Sequence, residues 1–207
     1  MNHILYYIHD PMCSWCYAFG PVWTKLQTAL PVSVKVERLL GGLAPDNHSP
    51  MDEAMRQRLE ATWQRIEQSV PGTRFNFGFW QHCTPYRSTY PSCRAVIAAS
   101  ALDPEGDEVM TKAIQRAYYQ QARNPSEEQT LIEIATETGL DREVFSKAVA
   151  SEKTEAELQR QITLAAEIGA DSFPALVLSV DGSRWPVAID YNNPEPMLDT
   201  IEFLLEG

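Results

Sequence analysis

Two periods of apolar residues run along the chain and predict its elements. Ile4-Leu5-Tyr6-Tyr7-Ile8 is an unbroken β-branched and aromatic run, the mark of a buried strand, and Asp10-Pro11-Met12 ends it. From Cys13 to Leu30 the period becomes helical, with Phe19, Val22, Trp23, Leu26 and Leu30 on one face, Pro21 inside the helix and Pro31 at its end. Val32, Val34 and Val36 then alternate with Ser33, Lys35 and Glu37, which predicts a second strand to about Leu40, closed by Gly41-Gly42.

The middle of the chain is helical. Ser49-Pro50 reads as a cap with proline at the first helical position, and Met51, Met55, Leu59, Trp63, Ile66 and Val70 recur at helical spacing. An aromatic loop follows, Phe75-Asn76-Phe77-Gly78-Phe79-Trp80. Further helices are predicted over 91–102 and 107–123, from a capping box at Ser126-Glu127-Glu128-Gln129 to Gly139, from Asp141 to Ala150, and from a second box at Thr154-Glu155-Ala156-Glu157 to Gly169. Strands return at Ala175–Val180 and Trp185–Ile189, joined by the hairpin signal Asp181-Gly182, and Asn193-Pro194 opens a last helix. This order predicts a small α/β domain made of residues 1–44 and 153–207, split by a helical insertion over 45–152.

Composition narrows the function classes. With 17 basic and 28 acidic residues among 207, the net charge is −11, which argues against nucleic-acid binding over a broad face. No apolar run approaches the roughly 20 residues of a membrane helix, so no membrane partner is expected. Met1-Asn2-His3 leads straight into the first strand without a basic start or a cleavage site, which predicts a cytoplasmic protein. In that reducing compartment four cysteines point to redox or metal chemistry rather than to a disulfide framework.

Cys13-Ser14-Trp15-Cys16 falls where strand gives way to helix. Cysteines at i and i+3 share one side of a helical turn, so their sulfurs can bond. At the helix start, unpaired N–H groups and the positive end of the helix dipole favour a thiolate on Cys13, and Cys16 lies one turn further in as the resolving thiol. Two other readings stand beside this one: half a zinc site completed by His82, Cys83 or Cys93, or two buried apolar cysteines.

The run Cys13-Ser14-Trp15-Cys16-Tyr17-Ala18-Phe19 resembles the Cys-x-x-Cys-Tyr-x-Phe start of the DsbA family of disulfide oxidoreductases. Pro21 matches the kink proline of thioredoxin helices, and Ser172-Phe173-Pro174-Ala175-Leu176 resembles the cis-proline loop that thioredoxin folds hold against the active-site cysteines. With Asp10-Pro11-Met12 before the motif, the chain looks most like the FrnE-like branch, which is related to kappa-class glutathione transferases and 2-hydroxychromene-2-carboxylate isomerases. The resemblance implies an α/β thioredoxin fold with a large all-helical insertion. It also implies thiol–disulfide oxidoreductase or isomerase activity, with Cys13 and Cys16 catalytic and Ser14, Trp15, Phe173 and Pro174 at the active-site loops. Such exchange acts on protein or peptide disulfides, with glutathione as a further partner, and calls for no metal and no organic cofactor. Ser-Trp between the cysteines departs from the Pro-His of strongly oxidising relatives.

Two alternatives remain: a glutathione-dependent transferase or isomerase of kappa type, which needs no resolving thiol, and a non-enzymatic peptide-binding adaptor on the same fold. Cys83 and Cys93 are spaced to close a loop by a disulfide, but in a reducing compartment they read as ordinary thiols, Cys93 packed as a small apolar residue. The aromatics at 75–80 read as core or as a groove for unfolded chains, and His9 as a structural histidine or a tuner of Cys13.

Overall fold

The computed structural model describes residues 3–206. Strand β1 (His3–His9) leads into helix α1 (Ser14–Ala29), which crosses over to β2 (Val34–Leu40), parallel to β1. After the helical segment the chain returns as β3 (Ala175–Val180) and β4 (Ser183–Val187), both in antiparallel register, and ends with α9 (Glu195–Glu206). The sheet order is β2-β1-β3-β4. This is the α/β arrangement with a helical segment between β2 and β3 that the sequence led one to expect.

The period-2 pattern of β1 sorts its side chains between two cores. Leu5 and Tyr7 pack with Phe19, Trp23 and Leu26 of α1 and Met197 and Ile201 of α9. Ile8 faces the opposite side, against Leu39, Val177 and Ala165. Leu5, Phe19, Leu26 and Ile201 have no exposure, and each such burial contributes about 1.5–3 kcal/mol. The register also positions the site. Ile8 pairs with Leu39 on one side and with Ala175 on the other, so the ends of β1 and β2 and the start of β3 meet at one end of the sheet.

The segment between β2 and β3 forms α2 (Glu53–Ser69), α3 (Phe79–His82), α4 (Tyr90–Leu102), α5 (Gly106–Gln121), α6 (Glu128–Glu137), α7 (Arg142–Val149) and α8 (Glu152–Glu167). Two cores hold it. One gathers Val96, Ile114, Leu131, Phe145 and Leu158 from α4 to α8. The other is aromatic: Trp63 stacks on Phe75 at 4.9 Å and meets Trp80 at 4.7 Å and Tyr119 at 5.4 Å. Met12 and Ala18 belong to this second core, so it reaches the start of α1.

Several element ends differ from the sequence expectation. Ser126 does not cap α6; its hydroxyl donates to the Ser88 carbonyl at 2.7 Å and ties two loops together, and the helix starts at Glu128. Thr154 does not cap α8 either. Ser151 does, accepting the Thr154 N–H at 3.2 Å, while the Thr154 hydroxyl donates to the Ala148 carbonyl. Pro50 is in an isolated bridge with Tyr86, so α2 waits for the Asp52 cap, which accepts from Met55 N at 2.7 Å. The aromatic loop contains the short helix α3, and Phe75, Phe79 and Trp80 are buried core rather than an open groove. Strand β2 begins at Val34, since Val32 is fully exposed, and β4 is shifted two residues toward the hairpin turn.

Helices α4 and α5 approach closely at Gly106, where a β-carbon would overlap the backbone of Ala99 and Ser100. Backbone cannot move aside as a flexible side chain can. Gly106→Ala should therefore destabilise the fold by about 1–3 kcal/mol, read as a lowered urea midpoint with an unchanged slope.

Candidate active site

Cys13 is the N-cap of α1, with extended backbone (φ −80, ψ 116). Its amide donates to the Asp10 carbonyl at 3.0 Å, and its carbonyl accepts from Tyr17 N at 3.0 Å. The Cys13 sulfur therefore sits where the first amides of the helix lack partners, and it accepts the Cys16 N–H at 3.3 Å. Its own S–H donates to the Phe173 carbonyl at 3.4 Å. The amide contact survives ionisation of the thiol, whereas the carbonyl can accept only from the protonated form. Both cysteines are free thiols; Cys13 is 6% exposed and Cys16 1%. Cys13 is thus the more accessible of the two but is less open than its position at a helix end suggested, because the 173–174 loop covers it.

Phe173–Pro174 is a cis peptide. The loop is placed by the sheet, since it directly precedes Ala175, which pairs with Ile8. The Phe173 side chain is half-buried. It is seated on Gly41 at the end of β2, where any β-carbon would overlap the ring, so the residue faces Cys13 through its backbone carbonyl. Ser14 opens α1 and is half-buried, and Pro174 is buried. Trp15 lies against Tyr191 at 4.9 Å, and the Arg65 guanidinium lies over it at 5.7 Å.

Burial pushes the Cys16 thiol well above its ordinary range, and neighbouring Cys13 adds to this. Three tyrosines surround the pair, Tyr7, Tyr119 and Tyr191, each with its hydroxyl pushed up first of all by burial. The Tyr119 hydroxyl is buried and has no hydrogen-bond partner among the described residues.

The sequence reading missed Asp10. It has no exposure, and burial pushes its carboxyl above the ordinary aspartate value. Oδ1 accepts from Met12 N at 2.8 Å; Oδ2 accepts from Leu43 N at 2.8 Å, Thr89 Oγ1 at 2.6 Å and Cys93 Sγ at 3.5 Å. Cys93 is a free thiol packed in the apolar core, as the sequence reading expected, and it is also a donor to this carboxylate, while Cys83 donates to the Ala122 carbonyl at 3.0 Å. Among the described residues no three His, Cys, Asp or Glu side chains gather as a metal site, so His82, Cys83 and Cys93 do not complete one with the pair. An acidic residue locked between an apolar strand and Pro11 was the one available signal for Asp10.

His9, next to Asp10, is buried and stacks on Tyr7 at 4.9 Å. Arg38 Nη2 lies 3.2 Å from His9 Nε2, and Arg38 also binds Asp107 at 2.5 Å. Arginine can only donate, so Nε2 accepts and the proton lies on Nδ1, which has no partner among the described residues.

A strand–dithiol–helix unit faced by a proline loop at the end of a four-stranded mixed sheet defines a thioredoxin-fold protein carrying a helical insertion. The chain belongs to the DSBA-like thioredoxin domain family, whose profile matches residues 6–199. Among solved structures it is similar to a Nitrosomonas europaea protein provisionally described as a protein disulfide isomerase, at 25% identity and TM-score 0.84, covering 100% of this chain and 98% of that one. It is also similar to the cytosolic disulfide reductase DsbM from Pseudomonas aeruginosa, at 27% identity and TM-score 0.77 over 98% of both chains, a protein also solved with GSH. Among curated proteins it is 25% identical over 203 residues, 94% of this chain, to the ClpXP adapter protein SpxH of Bacillus subtilis. It spans 66% of the length of that relative and 58% of the SpxH of Halalkalibacterium halodurans. No helix among the described residues is long and apolar enough to cross a membrane.

Burial and then Arg38 push the His9 imidazole well below its ordinary 6.5. The unfolded chain then binds a proton that the folded protein refuses, so this contribution is complete above about pH 6.5 and is lost as pH falls below it. Between about pH 7.5 and about pH 5.5 the native protein should lose on the order of 1 kcal/mol more stability than His9→Phe, measured by urea unfolding of both at each pH.

Proposed function

We propose that the chain is a thiol–disulfide oxidoreductase or isomerase acting through Cys13 and Cys16 on protein or peptide disulfides, with glutathione as an alternative partner. The observation that carries this reading is the geometry of Cys13: a helix-cap sulfur accepting the Cys16 amide at 3.3 Å and facing the Phe173 carbonyl. The 27% identity to a cytosolic disulfide reductase over nearly the whole chain supports it, and the cytoplasm as the working compartment.

The Cys13 thiolate attacks one sulfur of the substrate disulfide, and the other sulfur leaves as a thiolate and takes up a proton. Cys16 then attacks Cys13 Sγ and releases the second substrate thiol. Two electrons pass from the dithiol to the substrate, and the protein is left with a Cys13–Cys16 disulfide. Run backward, the same steps oxidise a dithiol. Ser14, Trp15, Phe173 and Pro174 border the substrate. Once Cys13 bonds to a substrate sulfur its S–H is gone, and the Phe173 carbonyl is released to accept from an extended substrate backbone as an added strand. Residues 1–44 and 153–207 form the catalytic unit in this reading, and 45–152 the insertion that covers it.

A second reading, a peptide-binding adaptor, is favoured by the two curated adapter relatives. The cysteines separate the readings. Cys13→Ser should abolish reduction of a peptide disulfide, and Cys16→Ser should accumulate mixed disulfides with peptide or glutathione, seen as mass adducts on Cys13. Full turnover in Cys16→Ser favours the kappa-type transferase alternative. No exchange in the native protein favours the adaptor.

A further inference from the structure

The resolving step leaves a proton to be placed. Cys16 is buried, its thiol holds its proton well above the ordinary range, and it must lose that proton before its sulfur can attack Cys13. The groups facing it are few. The Asp10 carboxylate is the nearby anion, but it already accepts four donors, three on Oδ2 from Leu43, Thr89 and Cys93 and one on Oδ1 from Met12, and protonating it would weaken all four hydrogen bonds. Tyr7, Tyr119 and Tyr191 carry hydroxyls that burial holds protonated, and none is a base in the working range. Cys13 is bonded to substrate at this stage.

Behind Cys16 the structure has an opening. A cavity of about 300 Å³ lies between α1 and α5, bordered by Cys16, Tyr7, Gly20, Arg38, Thr111 and Lys112. Its outer rim is wet, since the Lys112 and Glu108 side chains are 63% and 43% exposed. The charged groups along it are paired, Arg38 with Asp107 and Lys112 with Glu108, so none is left over as a fixed proton acceptor. Gly20 opens it: a β-carbon there meets nothing within 4 Å. A larger residue at that position between Phe19 and Pro21 would narrow the space between the helices.

We propose that this cavity is the proton exit of the resolving thiol, carrying the Cys16 proton to solvent through water by a route that neither Cys13 nor the 173–174 loop borders. The proposal rests on the oxidoreductase reading. In the mixed disulfide the Cys16 proton passes to water in the cavity, Cys16 Sγ bonds to Cys13 Sγ, the bond from Cys13 to the substrate sulfur breaks, and the departing thiolate is protonated from solvent at the front. Solvent reaching a buried thiol by its own path lets resolution proceed while substrate still covers Cys13.

The test is stopped-flow reaction of the reduced protein, in a Cys83→Ser background, with one equivalent of a chromogenic aromatic disulfide. Attack by Cys13 releases the first coloured thiolate and resolution by Cys16 the second. Gly20→Leu fills the cavity and improves helix propensity; it should slow the second phase by about tenfold or more and leave the first unchanged. Gly20→Ala, too small to fill it, should leave both phases as in the native protein. Added imidazole, small enough for the cavity, should accelerate the second phase in the native protein and not in Gly20→Leu. An unchanged second phase in Gly20→Leu, equal slowing of both phases, or a second phase abolished by Asp10→Asn while Gly20→Leu stays fast would each overturn the proposal. If the native protein lacks the first phase, the oxidoreductase reading itself fails.

Discussion

The Asp10 carboxylate, with no solvent exposure and four donors, is the contact on which the geometry of the dithiol depends. Burying a carboxylate is unfavourable unless its oxygens are satisfied, and here the donors come from three separate stretches of chain. Met12 N lies in the loop that delivers Cys13, Leu43 N follows β2, and Thr89 and Cys93 are at the start of α4. Thr89 extends the network by accepting Ala44 N at 3.0 Å. The helical insertion is therefore joined to the loop before the cysteines by charge-assisted hydrogen bonds as well as by apolar packing. The Asp10 carbonyl accepts the Cys13 amide, so the same residue fixes where α1 begins.

Around that anchor the site divides its tasks between faces. On the front, Cys13 lies between an amide that tolerates a thiolate and a carbonyl that accepts only a thiol, and the Phe173 ring, held by Gly41, sets the carbonyl's position. Underneath, Tyr7 links the dithiol to a buried polar cluster in which Arg38 lies 5.6 Å from the Tyr7 ring, binds Asp107 and reaches His9. Beyond Cys16 the packing loosens into the cavity beside Gly20. In the proposed exchange the first thiol meets a substrate at this front, while the second, beside the cavity, gives up a proton and bonds to Cys13.

Much of this was legible in the sequence where the signal is local. Cys13, Cys16 and the 181–182 turn are read from spacing, and Pro174 from the resemblance of 172–176 to the cis-proline loop of thioredoxin folds. The strand–helix–strand order came from hydrophobic periods that the two sheet cores satisfy. Asp10, Thr89, Arg38 and Gly41 were not legible, since each acts through a partner distant in sequence: Thr89 meets Asp10 across 79 positions and Cys93 across 83. The two capping boxes failed for a related reason. Ser126 and Thr154 match the local pattern, but carbonyls at Ser88 and Ala148 claim their hydroxyls.

The central claim is that Cys13 and Cys16 form one redox couple while the other two thiols hold structure. Disulfide mapping tests it directly: oxidise the reduced protein with one equivalent of oxidised glutathione, alkylate under denaturing conditions, and sequence the peptides by mass spectrometry. A Cys13–Cys16 disulfide with Cys83 and Cys93 both alkylated is the expected result. A disulfide that includes Cys93, or glutathione left on Cys13 with Cys16 alkylated, would contradict it.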